Sequence, residues 1–146
     1  MMQEKQTIRI ENKPGEFFRV EDFIRSLCEK YRIYDEYFGT ITRAMDIIFN
    51  KIIEVNKDKH GIIEIEQEYT SKELKYHLKS DDKLVIAFNL TEEKEAIILN
   101  KLVSNLEIND VNSISVQFYI NSLHQEEWVR RFQLVSKYSH KVRKEV

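Results

Sequence analysis

The stretch RAMDIIFNKIIEVNKDKHGIIEIEQEYTSKELKYHL, from Arg43 to Leu78, decides most of the fold. It contains most of a segment, Asp35 to Val55, whose apolar residues recur every three or four positions. These residues are Ile41, Met45, Ile48, Ile52 and Val55, with Ala44 and Ile47 widening the stripe. That spacing predicts an amphipathic helix. After a basic turn ending at Gly61, two runs alternate apolar and polar residues, which predicts a β-hairpin.

The flanking segments predict further strands and helices. Alternation around Ile8 and Ile10 predicts a strand, and the apolar spacing from Phe17 to Tyr31 predicts a helix. A strand is predicted over residues 84–88, and Thr91 is placed to cap the helix that follows. The predicted buried side of that helix consists of Ala96, Ile97, Leu99, Leu102 and Val103.

The last predicted elements are a strand and a helix. Four apolar residues share one face of that strand: Ile114, Val116, Phe118 and Ile120. Ser122 and Gln125 form a capping-box pattern before the helix. The whole order of elements indicates an α+β fold, a two-layer sandwich with a mixed sheet and helices mainly on one face. We expect one domain over residues 1–121, followed by an amphipathic basic helix and tail over 122–146.

Composition excludes several classes of protein. The chain has 146 residues and a net charge of −2, so no overall basic field indicates nucleic acid. Six Lys or Arg residues nevertheless lie between Arg130 and Val146, against the single acid Glu145. Cys28 is the only cysteine, which excludes an internal disulfide and fits a reducing compartment. The first residues lack the apolar core of a signal peptide, and we expect a cytoplasmic protein without a membrane segment.

Glycine and histidine give little sign of a ligand site. The chain has three glycines, Gly15, Gly39 and Gly61, and therefore few places where the backbone can approach a phosphate closely. The four histidines have no metal-ligand spacing with one another or with Cys28, so the sequence predicts no metal site. These histidines are His60, His77, His124 and His140. No Ser, Cys or Lys lies in a nucleophile motif, so no catalytic residue is predicted.

Three stretches carry a resemblance to a known family: IRIENKPGEFFRVEDFIRSLCEKYRI, DEYFGTITRAMDIIFNKIIEVN and EKEAIILNKLVSNLEINDVNSISVQFYI. Together they resemble the anti-sigma regulatory serine kinases, a branch of the histidine-kinase-like (GHKL) ATPases. The resemblance covers roughly residues 6 to 120. It implies the histidine-kinase-like ATPase fold for this part of the chain.

The resemblance also implies which residues would contact a nucleotide. Asp46 stands where the family has a Glu that activates the attacking group, and Asn50 matches the Asn that holds Mg²⁺. Asp81 or Asp82 stands near the family's adenine-binding Asp, but without the glycines that follow it. The family's phosphate-binding loop is replaced by NLTEEKE, residues 89–95, whose glutamates would repel a triphosphate. We therefore expect no cofactor, with ATP and Mg²⁺ as the alternative.

By resemblance, the chain is expected to be a non-catalytic regulatory module that binds a sigma factor or an anti-sigma antagonist. One alternative is an active ATP-binding serine kinase that uses Asp46 and Asn50. A second alternative is a nucleic-acid-binding domain that acts through the basic C-terminal helix. The predicted partner-binding residues on that helix are Trp128, Arg131, Phe132 and Val135. Trp and Arg are enriched at interface hot spots, and the partner can also be a second copy of the chain.

Overall fold

A computed structural model describes residues 4–86 and 94–120 of the chain. These residues form an α+β structure with five strands, three α-helices and one short 3-10 turn. In chain order the elements are β1 (Glu4–Glu11), the 3-10 turn (Pro14–Glu16), α1 (Phe17–Lys30), α2 (Asp35–Val55), β2 (Ile62–Tyr69), β3 (Glu73–Ser80), α3 (Lys94–Leu102), β4 (Asn105–Asp110) and β5 (Ser113–Tyr119).

The predicted stripe of α2 is confirmed over most of its length. The helix buries Ile41, Ala44, Met45, Ile47, Ile48, Phe49 and Ile52. Burial of each such large aliphatic side chain contributes ~1.5–3 kcal/mol to the hydrophobic free energy of folding. Val55, the last residue of the predicted stripe, is 44% exposed, because the helix ends there and the chain turns away at Asn56.

A tight connection makes α1 and α2 antiparallel neighbours. Arg32 adopts a left-handed conformation (φ 56°), and the Ile33 amide donates to the Cys28 carbonyl at 2.8 Å. Together, this backbone conformation and this hydrogen bond reverse the direction of the chain between α1 and α2. α2 then begins with Asp35 and Glu36, whose negative charges lie favourably at a helix N-terminus.

The predicted hairpin of β2 and β3 is confirmed. The strands pair from Ile63 opposite Ser80 to Tyr69 opposite Leu74. At the turn, the Thr70 hydroxyl accepts hydrogen bonds from the amides of Lys72 and Glu73, at 3.3 and 3.2 Å. A hydroxyl that satisfies turn amides in this way fixes the register of a hairpin.

The sheet is antiparallel at every described strand pair, so the prediction of a mixed sheet was wrong. The strand order is β1-β2-β3-β5-β4. The connections explain the direction of each strand. Two hairpins join β2 to β3 and β4 to β5, and each hairpin makes its two strands antiparallel. Between β1 and β2 the chain passes along the sheet twice, once in α1 and once in the opposite direction in α2. Two such passes make β2 antiparallel to β1.

One face of the sheet lies against the helices and forms the core. Its middle row runs across all five strands through Ile8, Ile65, Leu78, Ile114 and Ile108. The row is buried on β2, β3 and β5, whereas Ile108 on the edge strand β4 is 50% exposed. The predicted apolar face of β5 is confirmed, since its Ile114, Val116 and Phe118 are all buried, as is Ile120 just after the strand. The other face carries polar residues. This arrangement fits a two-layer sandwich.

Residues Leu84–Ile86 do not form the predicted strand; residues 87–93 lie outside the described residues. The backbone of this segment is hydrogen-bonded mainly to side chains instead of to a neighbouring strand. Asn56 Oδ1 accepts from the Val85 amide at 2.8 Å, and Asn56 Nδ2 donates to the Val85 carbonyl at 2.7 Å. Asn112 Nδ2 donates to the Leu84 carbonyl. Residues 84–86 therefore alternate buried and exposed positions as a strand does, but they form no ladder of hydrogen bonds with a neighbouring strand.

α3 differs in part from its predicted buried side. Leu99 is fully buried, and Leu102 and Val103 are half-buried. Ile97 is 53% exposed, so its predicted burial was wrong. Residues two apart on a helix point in different directions. α3 packs against α2, and because Leu99 is on the buried side of α3, Ile97 points outward. The Ala96 side chain, the Thr91 cap and the predicted helix from Ser122 lie outside the described residues.

Within residues 4–86 and 94–120, no helix has both the length and the apolar composition needed to cross a membrane.

Candidate functional site

The two α2 residues implied in nucleotide binding lie one turn apart on the outer side of the helix. Asp46 is half-buried, and one of its oxygens lies 3.8 Å from the Arg43 guanidinium. Asn50 is exposed. Residues four apart on a helix are neighbours. Because α2 is helical over both positions, Asp46 and Asn50 lie on one face, as predicted.

Asp81, the residue that the resemblance places near the adenine site, accepts two backbone hydrogen bonds. Its Oδ2 accepts a hydrogen bond from the Ile62 amide at 3.0 Å, and its Oδ1 accepts one from the Lys83 amide at 3.1 Å. Both carboxylate oxygens therefore hold the turn after β3 against the start of β2. Such a carboxylate is part of the framework of the sheet, while the neighbouring Asp82 is an exposed turn residue.

Gly61 is required by close packing beside Asp81. A Cβ atom at this position would lie 2.6 Å from Leu84 Cγ and 2.9 Å from Asp81 Oδ1. Real Cβ contacts are longer, so only glycine fits without movement of these groups. The glycine that ends the basic turn therefore serves the junction of β2, Asp81 and Leu84.

A surface cleft of about 350 Å³ lies next to this junction. Its lining includes Glu11, Lys13, His60, Asp81 and Lys83. Neither Asp46 nor Asn50 lines it, so this cleft brings Asp81 together with neither of the two predicted nucleotide residues on α2. The mixture of acidic and basic side chains leaves no concentrated positive charge for a triphosphate.

Asn56 is the most constrained polar side chain near this site. It is fully buried, and its Nδ2 donates to the Ile52 carbonyl in addition to the two bonds with Val85. Its own carbonyl accepts from Asn12 Nδ2 at 3.1 Å. Every polar atom of the Asn56 side chain is thus satisfied within the protein, and the residue joins α2 to the 84–86 segment.

Cys28 is not available as a nucleophile. The thiol is buried, and this burial, with smaller contributions from Asp35 and Glu29, raises its pKa to about 12. The thiolate is the reactive form of cysteine, and it is absent at neutral pH under these conditions.

The open face of the sheet carries an ordered pattern of charge. Glu64 on β2 pairs with Arg9 on β1 and Lys79 on β3, and Glu68 pairs with Lys5 and Lys75 in the same manner. Opposite charges directly across a sheet stabilise the pairing of the strands. Arg9 Nε lies 3.2 Å from a Glu64 oxygen, and Lys5 Nζ lies 3.0 Å from Glu68 Oε1.

Glu66 lies on β2 between Glu64 and Glu68, and the residues directly opposite it on β1 and β3 are not Lys or Arg. Glu66 lies opposite Thr7 on one side and His77 on the other. His77 Nδ1 is 2.9 Å from Ser115 Oγ, and its Nε2 is 3.6 Å from Glu68 Oε2. One ligand atom each from Glu66, Glu68 and His77 fall within 4.8 Å of one another, an arrangement that can hold a metal ion.

Glu68 remains ionised in this environment. Burial alone would raise the pKa of its carboxyl, but the hydrogen bond and charge of Lys5, together with His77, hold the pKa below its ordinary value. Sequence reasoning missed this cluster, because Glu66 and His77 become neighbours only through the register of β2 and β3.

Comparison with known proteins identifies no family: no family model matches the sequence, and no curated protein matches it. The predicted partner-binding residues Trp128, Arg131, Phe132 and Val135 lie outside the described residues.

Proposed function

We propose that the chain is a non-catalytic regulatory module with a histidine-kinase-like fold, which acts by binding another protein. The partner is a sigma factor, an anti-sigma antagonist, or a protein of a similar partner-switching circuit. These assignments rest on the resemblance of residues 6 to 120.

One observation carries the non-catalytic part of the proposal. Both oxygens of Asp81, at the position implied for the adenine contact, accept hydrogen bonds from backbone amides of the sheet junction. A nucleotide base that bound to this carboxylate would have to displace at least one of these two bonds, which tie the turn after β3 to the start of β2.

Exposed aliphatic side chains support a protein partner. Val85, Ile108 and Val111 are 37%, 50% and 59% exposed, and they lie on segments that meet where the Ile86 amide donates to the Val111 carbonyl. A contiguous exposed apolar patch is typical of a protein-binding surface, and these three residues would form the centre of such a patch. Direct contact with a partner at this end of the sheet would remove this apolar surface from water.

The non-catalytic assignment is tested by thermal melts with millimolar Mg-ATP, Mg-ADP or Mg-GTP. A ligand present at 100 times its Kd raises the free energy of unfolding by about 2.7 kcal/mol, so binding would be visible as a higher melting temperature. We expect no shift. A Mg²⁺-dependent rise that disappears in Asn50→Ala would contradict the proposal and support the kinase alternative.

The binding assignment is tested with purified sigma factors and anti-sigma antagonists from the same genome, each titrated against the full chain by calorimetry. We expect one of them to bind, and Val111→Asp to weaken that binding. Phe18→Asp is the matched control, since Phe18 is equally exposed but lies on α1. The proposal fails if none of these proteins binds.

A further inference from the structure

Three side chains from two neighbouring strands converge on the open face of the sheet. Glu66 and Glu68 are two residues apart on β2 and therefore project to the same side. His77 on β3 lies directly opposite Glu66. Their ligand atoms lie within 4.8 Å of one another, and all three residues are half-buried. One imidazole nitrogen with two carboxylate oxygens is a donor set that suits Zn²⁺.

The distance between His77 Nε2 and Glu68 Oε2 is informative. At 3.6 Å it is too long for a direct hydrogen bond. Ligands that each lie 2.0–2.2 Å from a tetrahedral metal ion are separated by roughly 3.3–3.6 Å from one another. The observed spacing therefore corresponds to the edge of a tetrahedral metal site.

The two oxygens of Glu68 face different partners. Oε1 lies 3.0 Å from Lys5 Nζ, while Oε2 is the oxygen directed toward His77. Lys5 therefore orients the carboxylate and leaves the second oxygen for a ligand. A metal ion bound by Oε2 does not require the contact with Lys5 to break.

The imidazole of His77 is oriented by polar neighbours on the far side of its ring. His77 Nδ1 is 2.9 Å from Ser115 Oγ, which also accepts a hydrogen bond from Asn109 Nδ2 at 3.0 Å. Metal-binding histidines commonly donate their second ring N–H to such a partner, which fixes the tautomer. With the proton on Nδ1 donated to Ser115, the lone pair of Nε2 points toward Glu68.

The charge pattern of the sheet leaves this row short of positive charge. Glu64 and Glu68 each lie between two basic residues, but Glu66 lies between Thr7 and His77. Among the described residues the Glu66 side chain forms no hydrogen bond and no salt bridge, and the cation that acts on it is Lys5, which lies opposite Glu68 in the next pair. A bound cation would supply the missing charge in the middle row.

We infer that Glu66, Glu68 and His77 bind one Zn²⁺ ion, with water at the fourth position. The ion joins β2 to β3 across the open face, on the side of the sheet opposite the helices. This site is independent of the proposed partner binding. Binding of the ion makes the stability of the fold depend on metal.

The test uses the full chain, freed of metal with a chelator and titrated with Zn²⁺ by calorimetry. We expect one ion per chain and a rise in melting temperature with Zn²⁺, because the ion binds the folded site. His77→Gln and Glu66→Gln should abolish both effects. Ser115→Ala should weaken binding by about tenfold or more, because it removes the group that orients the imidazole.

Two matched controls separate this site from binding elsewhere. Glu64→Gln changes a glutamate on the same strand and face, and His60→Gln removes a histidine outside the cluster; both should retain Zn²⁺ binding. Circular dichroism establishes that each variant is folded. The inference is overturned if the wild-type chain binds no Zn²⁺, or if both His77→Gln and Glu66→Gln bind it as the wild type does.

Discussion

At the scale of single residues, two asparagines six positions apart differ in burial, and we expect them to differ in their contribution to stability. Asn50 is exposed on α2, whereas Asn56 is fully buried and hydrogen-bonded to both polar backbone groups of Val85. Asn56→Ala leaves the amide and carbonyl of Val85 without these partners. We expect it to lower the free energy of unfolding by at least about 2 kcal/mol, measured by urea denaturation.

Asn50→Ala is the control for this prediction, because it makes the same change on the exposed side of the helix. It should alter the free energy of unfolding by about 0.5 kcal/mol or less. Equal effects of the two substitutions would show that Asn56 does not hold the 84–86 segment as described.

The glycines allow a second residue-scale prediction, with opposite signs at two positions. At Gly61 a Cβ atom would lie 2.6 Å from Leu84 Cγ, whereas at Gly39 it would meet nothing within 4 Å. Gly61→Ala should therefore destabilise the protein by about 1–3 kcal/mol through overpacking. Gly39→Ala, inside α2, should stabilise it by about 0.5–1 kcal/mol, because alanine favours helix. Thermal denaturation of both variants gives the two signs, and a stabilised Gly61→Ala would contradict the packing.

At the scale of elements, a polar contact joins the start of β1 to the end of α1. Glu4 accepts hydrogen bonds from Lys30 Nζ, at 2.8 Å, and from the Tyr31 hydroxyl. Lys30 and Tyr31 lower the pKa of Glu4 below its ordinary value. A carboxyl with a lowered pKa in the folded state stabilises the protein above its unfolded pKa, and the stabilisation is lost as the pH falls through the folded value.

Glu4→Gln should therefore melt at a lower temperature than the wild type at neutral pH. The difference should shrink as the pH falls below about 4.3, the pKa at which an unperturbed glutamate is half-protonated. Melting curves across this pH range measure it. Glu29→Gln makes the same charge change on the exposed surface of α1 and should leave the melting temperature almost unchanged. A Glu4→Gln difference that persists undiminished at low pH would contradict the electrostatic explanation.

At the scale of the whole molecule, the described residues contain a five-stranded sheet and a core of buried residues between it and the helices. A chain that ends at Asn121 should therefore fold, with a cooperative thermal transition by circular dichroism. If it does not, the segment 122–146 supplies part of the core. In that case, loss of Trp128 or Phe132 from a packed site would cost about 3–5 kcal/mol each, measurable in the full chain as Trp128→Ala and Phe132→Ala.

The spacing of apolar residues in the sequence by itself determined those helices and strands that can be recognised from a short stretch of chain. The bounds of α2, the existence of α1 and the β2–β3 hairpin follow from apolar spacing, because burial of one face requires that spacing wherever the element lies. The α+β class follows from the order of these elements. The sequence also placed Asp46 and Asn50 together, since residues four apart on a helix are neighbours.

Contacts between distant parts of the chain were decided only by the tertiary structure. The alternating residues 84–86 form no strand because the side chains of Asn56 and Asn112 take their backbone hydrogen bonds. Asp81 became a structural cap because the Ile62 amide, 19 residues away, is brought to its carboxylate. The cluster of Glu66, Glu68 and His77 exists only in the observed register of β2 and β3. A shift of one residue would turn alternate side chains to the opposite face and separate its members.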